Sequence, residues 1–246
     1  MTKNNKVALI TGGSRGIGKA CAIELAQEGF DLALSFRTNE AAALEVKKEV
    51  ENLGRKIELY QSDIGSPDQT VNLVKDVLKD FNSIDVLVHN AGIGQRLSFE
   101  EVTPDIWNKH IDINLNSTYY LLKDILPLMK EKQYGNIVLV GSLSSKIGGV
   151  VNAAYAASKG ALNSLAKYLV QDYGAYGINI NVIAPGLVET DLYKELDAEK
   201  DLSDVKDTIP MKRLAKTNEI ANVVKFLSTD ASSYINGETI YISGGR

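Results

Sequence analysis

The sequence contains little cysteine or histidine: one cysteine and two histidines among 246 residues. A single cysteine cannot form an intramolecular disulfide, and no Cys/His cluster is present to offer a metal site, so the sequence predicts neither. Cys21 falls in the first helical pattern, and we interpret it as a small residue of the core.

Long hydrophobic runs and an excess of one charge are also missing. No apolar run approaches the ~20 residues that cross a bilayer, and only four clearly apolar residues follow the N-terminal stretch, too few for a signal peptide. The 27 basic and 31 acidic residues are well mixed and leave a net charge of −4, which indicates no nucleic-acid or membrane surface. We therefore predict a cytoplasmic protein with one globular domain over residues 1–246, in which 44% hydrophobic residues suffice for a core.

Seven apolar runs with strand character alternate with longer segments whose apolar residues recur at helical spacing. This alternation predicts right-handed βαβ units and an α/β fold: a Rossmann-type doubly wound sheet of seven mostly parallel strands with helices on both faces. The crevice is expected beyond the ends of the first and fourth strands. The runs are residues 7–10, 32–36, 57–60, 86–88, 137–140, 178–183 and 239–242.

Three further segments carry local signals. Ser66-Pro67 and Thr103-Pro104 predict helix starts, with a capping hydroxyl before a proline at the first helical position. Residues 187–210 are less regular and rich in charge, which predicts either a substrate lid or an ordinary pair of surface helices.

Tyr155 and Lys159 stand four residues apart, so on a helix they lie on one face. A cation beside a phenol favours the phenolate and lowers the tyrosine pKa from about 10 toward working pH, where it can serve as acid or base. Ser142 follows the apolar run at 137–141, and a hydroxyl at that strand end can hold a substrate oxygen beside the tyrosine. Taken alone, the pair more often indicates a surface tyrosine and a solvated lysine at helical spacing, and the motifs elsewhere in the chain change that interpretation.

The first strand runs into a glycine-rich turn, Thr11-Gly12-Gly13-Ser14-Arg15-Gly16-Ile17-Gly18. Glycines let the backbone turn sharply, and the following helix N-terminus offers N–H groups to phosphate, although the spacing is not G-x-G-x-x-G. The second strand ends at Phe36-Arg37 without the acidic residue that binds the ribose of NAD, and Glu40 belongs to the next helix. Arg37 and Arg15 can pair with a 2′-phosphate, so the turn predicts NADP, bound as NADPH.

These motifs resemble those of single-domain short-chain dehydrogenases/reductases, and the resemblance extends from Val7 to Gly245. In chain order they are Thr11-Gly12 with Gly16-Ile17-Gly18, Asp63-Ile64, Asn90-Ala91-Gly92, Asn114, Ser142, Tyr155 with Lys159, Pro185-Gly186 with Thr190, and Asn236-Gly237 with Gly244-Gly245.

The resemblance implies four catalytic residues. Tyr155 would exchange a proton with the carbonyl oxygen as hydride moves, and Lys159 would lower the tyrosine pKa and hold the nicotinamide ribose. Ser142 would orient the substrate oxygen and stabilise its developing charge. Asn114 would hold a water that links Lys159 to solvent. The cofactor would contact Gly12, Ser14, Arg15, Gly16, Ile17, Gly18, Arg37, Asp63, Ile64, Asn90, Ala91, Gly92, Tyr155, Lys159, Pro185, Gly186, Val188 and Thr190.

Within this family the chain is most similar to 3-oxoacyl-[acyl-carrier-protein] reductases, which implies a 3-oxoacyl thioester substrate and acyl carrier protein as a partner. The two arginines with which those enzymes dock the carrier fall at Gln133 and Tyr176. An acidic carrier needs a basic patch, which Lys130, Lys132 and Lys167 would have to supply instead.

Other substrates and functions are also compatible with the sequence. Ser142, Ser144, Gln95 and Asn152 are the predicted substrate contacts, and the mixed polarity of the pocket also permits a sugar, polyol or small secondary alcohol. An enoyl reductase is disfavoured, because that branch separates its tyrosine and lysine more widely. A non-catalytic NADP-binding regulator would not need all four catalytic residues. The resemblance further implies a homotetramer built on helices near 106–129 and 155–173.

The two histidines are interpreted as structural. His89 stands where relatives often carry asparagine, at the end of a buried strand, and His110 is expected on a helix surface or in packing.

Overall fold

The computed structural model describes residues 5–199 and 203–246, and within them a single seven-stranded sheet. The strands are β1 (Val7–Thr11), β2 (Asp31–Phe36), β3 (Ile57–Gln61), β4 (Val86–His89), β5 (Gly135–Val140), β6 (Ile178–Pro185) and β7 (Thr239–Ile242). Their order is β3-β2-β1-β4-β5-β6-β7, and every neighbouring pair is parallel. The predicted fold class is confirmed, with all seven strands parallel rather than most of them.

The helices occupy the connections between the strands. They are α1 (Gly16–Gln27), α2 (Glu40–Asn52), α3 (Pro67–Phe81), α4 (Pro104–Ile111), α5 (Ser117–Lys132), α6 (Ser144–Ile147), α7 (Ala153–Tyr173), α8 (Asp191–Glu199), α9 (Ser203–Asp207) and α10 (Thr217–Leu227). Between α4 and α5 the chain makes a π-helical turn, Asp112–Asn116, so the helix expected near 106–129 is interrupted. The charged segment 187–210 contains α8 and α9, while residues 200–202 lie outside the described residues.

Alternating side chains of the strands face two apolar layers. Ala8 and Ile10 of β1 pack with α1, α2 and α10, whereas Leu9 between them packs with α3, α5 and α7. Cys21 is fully buried in the first layer, as predicted, and burial raises the pKa of its thiol to about 12. No helix among the described residues is long and apolar enough to cross a membrane.

The strand order places the crevice where it was predicted. β1 lies between β2 and β4, so the chain leaves β1 toward one side of the sheet and leaves β4 toward the other. The carboxyl ends of these two strands therefore separate, and a ligand can enter between them.

Both predicted helix starts are present, but only one is capped by its hydroxyl. Thr103 Oγ1 accepts the N–H of Ile106 at 3.3 Å, ahead of the proline at the start of α4. Ser66 precedes α3 in the same way, yet its side chain makes no capping hydrogen bond.

We expect Thr103→Ala to lower the free energy of unfolding by about 1 kcal/mol, because an N–H at the helix start loses its acceptor. Ser66→Ala is the matched control, and it should change stability by less than about 0.5 kcal/mol. Urea unfolding of both variants measures the difference. Equal losses in the two variants would show that the capping bond is not the source.

Candidate active site

A cavity of about 490 Å³ opens at the carboxyl ends of the strands. Its wall is built from the turn after β1, the ends of β2 to β6, the start of α7 and the segment that enters α8. Of the residues predicted to be catalytic, Ser142, Tyr155 and Lys159 line it and Asn114 lies behind it. Most of the chain segments that carry the family motifs thus converge on one site, whereas Asn236-Gly237 does not line it.

Tyr155 and Lys159 lie in the first two turns of α7. Asn152 caps this helix, since its Oδ1 accepts the N–H of Tyr155 at 2.8 Å. Lys159 is only 4% exposed, and its Nζ donates to the carbonyl of Val140, at the end of β5, at 2.7 Å. The cap therefore fixes the backbone at the start of the helix, and the strand end fixes the lysine side chain.

Ser142 completes the arrangement from the loop after β5. Its side chain acts on the neighbouring Tyr155 phenol and lowers the pKa of that group, and its Oγ accepts the N–H of Ser144 at 3.1 Å. A substrate oxygen placed between the serine and tyrosine hydroxyls would meet two donors.

The pKa values of the pair differ from the sequence-based expectation. Burial raises the pKa of Tyr155 above its ordinary value, and the neighbouring Ser142 hydroxyl opposes this rise only in part. Burial also lowers the pKa of Lys159 to about 8. The net direction is therefore a raised pKa, not the lowered one expected from the sequence, because desolvation of the phenolate dominates and the ammonium is directed at the Val140 carbonyl. Tyr155 is a protonated phenol at neutral pH.

Asn114 lies in the π-helical turn and is buried. Its Oδ1 accepts the N–H of Ile93 at 2.9 Å, and its Nδ2 donates to the Ile93 carbonyl at 3.1 Å and to Ser158 Oγ at 3.2 Å. The side chain thus joins the loop after β4 to α7 below Tyr155. Its predicted role in a water relay stays a prediction.

The turn after β1 needs glycine for two different reasons. Gly12 has φ of +65°, in the left-handed region, and a Cβ there would meet Ala91 Cα at 2.9 Å. A Cβ on Gly18 would meet the Gly12 carbonyl oxygen at 2.3 Å. Gly12 and Gly16 line the cavity, whereas Gly18, predicted as a cofactor contact, does not and instead allows α1 to pack on the turn.

The two arginines predicted at the 2′-phosphate have different surroundings. Arg37 lines the cavity beside Thr38 and Asn39, and its guanidinium forms no ion pair with the described residues within 4 Å. Arg15 also lines the cavity, but its guanidinium is 3.2 Å from Glu195 and 3.7 Å from Asp191 of α8. Arg37 is therefore the arginine with a guanidinium available to an anionic group.

Most of the remaining predicted cofactor residues line the cavity. Asn90 uses its Nδ2 to hold the carbonyls of Thr11 and Gly12, at 3.1 and 2.9 Å. Asp63 Oδ1 accepts the N–H of Gly65 at 3.0 Å. The others that line the cavity are Ser14, Ile17, Ile64, Ala91, Gly92, Pro185, Gly186, Val188 and Thr190.

The predicted substrate contacts divide in two. Ser142 and Ser144 line the cavity, whereas Gln95 and Asn152 are not among its lining residues. Asn152 is buried, and its Nδ2 donates to the Gln95 carbonyl at 2.7 Å and faces His110 Nε2 at 3.2 Å. His110 is thus a buried packing residue, which was one of the two places expected for it, rather than a residue on a helix surface. Asn152 acts as the N-cap of α7.

Sequence reasoning missed the apolar wall above Tyr155. Val151 and Leu196 are buried against each other, with Leu192 and Tyr193 packed beside them. Val151 comes from the loop before α7 and the others from α8, so no periodic pattern in one segment could have revealed the cluster. Arg246, which follows β7, also lines the cavity and was not predicted.

The lysines expected to replace the missing docking arginines already have partners. Lys132 pairs with the buried carboxylate of Asp85, and Lys167 lies 3.1 Å from Glu238. The Lys130 ammonium stands 4.2 Å from the centre of the Tyr176 ring. Two of the three lysines are therefore paired with carboxylates, whereas Lys130 contacts an aromatic ring.

Comparison with known proteins gives matches over nearly the whole chain. A family model described as enoyl-(acyl carrier protein) reductase matches residues 12–246. The 2-dehydro-3-deoxy-D-gluconate 5-dehydrogenase of Pseudoalteromonas atlantica is 38% identical, covering 98% of this chain and 95% of its own. The 3-oxoacyl-[acyl-carrier-protein] reductase of Staphylococcus epidermidis is 34% identical and covers 98% of both chains.

Solved structures agree with this result. A 3-oxoacyl (acyl-carrier-protein) reductase from Agrobacterium tumefaciens, crystallised with NADP bound, has a TM-score of 0.91 and 29% identity, covering 98% of this chain and 94% of its own.

Proposed function

Since the chain belongs to the short-chain dehydrogenase/reductase family and is an oxidoreductase of CH–OH and C=O groups, we propose that it reduces a ketone to a secondary alcohol with NADPH. The most fitting substrate is a 3-oxoacyl thioester, which becomes the 3-hydroxyacyl form. The observation that carries this proposal is the apolar wall of Val151, Leu192 and Leu196 beside the hydroxyls of Ser142 and Tyr155.

Each side chain of the site has a separate role in the proposed reaction. The nicotinamide, when bound, supplies hydride to the carbonyl carbon. Ser142 orients the carbonyl oxygen, and Tyr155 donates its phenolic proton to that oxygen as negative charge develops there. Lys159 stabilises the resulting phenolate, and its ammonium can return a proton to Tyr155. The raised pKa of Tyr155 suits a proton donor, because the phenol stays protonated at neutral pH.

Tyr155→Phe is expected to abolish reduction, because the proton donor is lost, while NADPH affinity stays nearly unchanged. In the native protein, kcat for reduction should stay level below about pH 8 and fall above it, first as Lys159 loses the proton of its ammonium, whose pKa is about 8, and at higher pH as Tyr155 loses its own proton. Steady-state assays over a range of pH and fluorescence titration with NADPH measure the two effects. Substantial reduction by the phenylalanine variant would remove Tyr155 from the proposed role.

The choice of NADPH over NADH rests on Arg37. This arginine directly follows β2 and has no carboxylate partner among the described residues, and Thr38 and Asn39 line the cavity with it. A 2′-phosphate would meet a guanidinium there, and a charge-assisted hydrogen bond of this kind contributes about 1.5–3 kcal/mol.

We expect Arg37→Ala to weaken NADPH binding roughly 10- to 100-fold and to leave NADH binding unchanged. Arg15→Ala is the matched comparison, and it should alter the NADPH/NADH ratio much less, since Arg15 already pairs with Glu195 and Asp191. Titration of each variant with both cofactors measures the ratio. An equal loss of both cofactors in Arg37→Ala would contradict a 2′-phosphate site at this residue.

The surface around α5 and α7 bears on whether the thioester substrate is carried by acyl carrier protein or by a small thiol. Because Lys132 and Lys167 pair with carboxylates, we propose that the thioester is accepted on a small thiol at least as well as on acyl carrier protein. The open side of the cavity would admit the thioester arm, and the apolar wall would contact the acyl chain.

NADPH consumption with a 3-oxoacyl thioester on a small thiol and on acyl carrier protein tests this proposal, with equal or better kcat/KM expected for the small thiol. Leu196→Asn should lower kcat/KM for the acyl substrate about 10-fold, since a polar amide replaces an apolar contact. Leu44→Asn, at an exposed leucine of α2, is the matched control. A strong preference for the carrier form would overturn the docking argument alone.

A second candidate is the oxidation of a sugar acid. Arg246 lines the cavity, and a guanidinium can bind a carboxylate in bidentate fashion. The relative from Pseudoalteromonas atlantica is named as acting on 2-dehydro-3-deoxy-D-gluconate. Turnover of a hydroxy acid that is lost in Arg246→Gln, without turnover of thioesters, would favour this candidate. Absence of turnover with every ketone and alcohol would favour a non-catalytic regulator.

Two structural features of the family are also proposed here. α8, which forms part of the apolar wall, would act as the substrate lid. A homotetramer would use the faces of α4, α5 and α7, where the large side chains Trp107, Tyr119 and Tyr168 are exposed.

A further inference from the structure

His89 is a buried imidazole that the proposed reaction does not use. It ends β4 and is 2% exposed, and each ring nitrogen faces a hydroxyl at 2.9 Å. Nδ1 faces Thr11 Oγ1 at the end of β1, and Nε2 faces Ser117 Oγ at the start of α5. The ring therefore links the end of β1 to the start of α5, the helix that follows the π-helical turn.

The direction of each hydrogen bond follows from its neighbours. Thr11 Oγ1 already accepts the N–H groups of Asn90 and Ala91, both at 3.1 Å, so its proton points to His89 Nδ1. Nδ1 is then an acceptor, and the ring carries its proton on Nε2. That proton is donated to Ser117 Oγ, whose own proton goes to the Ile113 carbonyl at 2.7 Å. One tautomer satisfies the whole chain.

The last bond of this chain supports an irregular piece of helix. In an α-helix the N–H of Ser117 would donate to the Ile113 carbonyl, but here it donates to Asp112, as a π-helical turn requires. The Ile113 carbonyl thus loses that α-helical donor, and the Ser117 hydroxyl supplies one. The same turn presents Asn114, which joins Ile93 to Ser158 below Tyr155.

We propose that His89 is a positioning residue for the reaction: through Ser117 it fixes the π-helical turn and, with it, the place of Asn114 next to Lys159. A Cβ on Gly92 would meet Asn114 Oδ1 at 3.1 Å and Lys159 Nζ at 3.3 Å, so the two side chains border the same small space. A shift of the turn would disturb the surroundings of the ammonium that returns the proton. The residues proposed to bind NADPH lie mainly on other segments, so we expect turnover to fall more than NADPH affinity.

Asparagine cannot replace this histidine fully. Its amide nitrogen or oxygen reaches as far from the backbone as Nδ1 does, but nothing in its side chain extends as far as Nε2. His89→Asn therefore keeps the contact with Thr11 and loses the contact with Ser117. Ser117→Ala removes the same contact from the other end and also leaves the Ile113 carbonyl without the hydroxyl.

The first test compares turnover with cofactor binding. His89→Asn and Ser117→Ala are each expected to lower kcat about 10-fold, with the Kd of NADPH unchanged. The kcat of the double variant should be no lower than that of the slower single variant, because both changes break the same link. Thr118→Val is the matched control: this neighbouring buried hydroxyl has no partner among the described residues, and its loss should leave kcat unchanged. Equal losses of kcat and NADPH affinity, or unchanged kcat, would overturn the proposal.

A second test is independent of activity, because the first rests on the proposed function. Hydrogen exchange of the amides at residues 112–117 should speed up in His89→Asn and Ser117→Ala but not in Thr118→Val. Nitrogen NMR of the native protein should find the His89 proton on Nε2. A proton on Nδ1, or unchanged exchange in both variants, would refute the positioning role, whereas exchange as expected without any turnover would count against the proposed function alone.

Discussion

The site depends on how the chain closes the ends of β1 and β4, where the two strands separate. Backbone groups at this point leave the sheet and must find other partners. The Thr11 hydroxyl accepts the N–H groups of Asn90 and Ala91, and the Asn90 amide donates to the carbonyls of Thr11 and Gly12. These four bonds join the glycine-rich turn to the loop after β4 across the crevice. Because the backbone is satisfied from within, the crevice can stay open to a ligand without collapsing onto unpaired polar groups.

The same constraint explains how a buried ammonium is tolerated beside the tyrosine. Burial lowers the pKa of Lys159 to about 8, which reflects the free energy needed to desolvate a charge. The Val140 carbonyl, at the end of a central strand, supplies its hydrogen-bond partner. The sheet therefore determines where the cation lies, and α7 determines where the phenol lies. A site assembled from two rigid elements keeps this geometry without help from the substrate.

The fold was predictable from the sequence because each strand is an apolar run and each connection has helical spacing. The all-parallel order follows from those connections, and the convergence of Ser142, Tyr155 and Lys159 follows from the sheet. The tyrosine pKa was not predictable, because the direction of the Lys159 ammonium depends on a carbonyl distant in sequence. The π-helical turn leaves no periodic signal over five residues. The roles of Asn152 and Gly18 as cap and packing residue depend on contacts that spacing alone does not specify.

The residues proposed to transfer the proton and the residues proposed to select the substrate lie on different kinds of structural element. This is why the sequence predicted the proton-transfer residues better than the substrate contacts. The proposed catalytic hydroxyls and the ammonium stand at strand ends and on α7, where main-chain hydrogen bonds fix short motifs. The wall that would contact the rest of the substrate joins Val151, from a loop, to Leu192 and Leu196 of α8. The leucine and valine side chains of this wall meet by apolar contact, which is not directional and tolerates exchange of one apolar residue for another. Substrate preference can therefore change through α8 while the proton-transfer geometry stays the same.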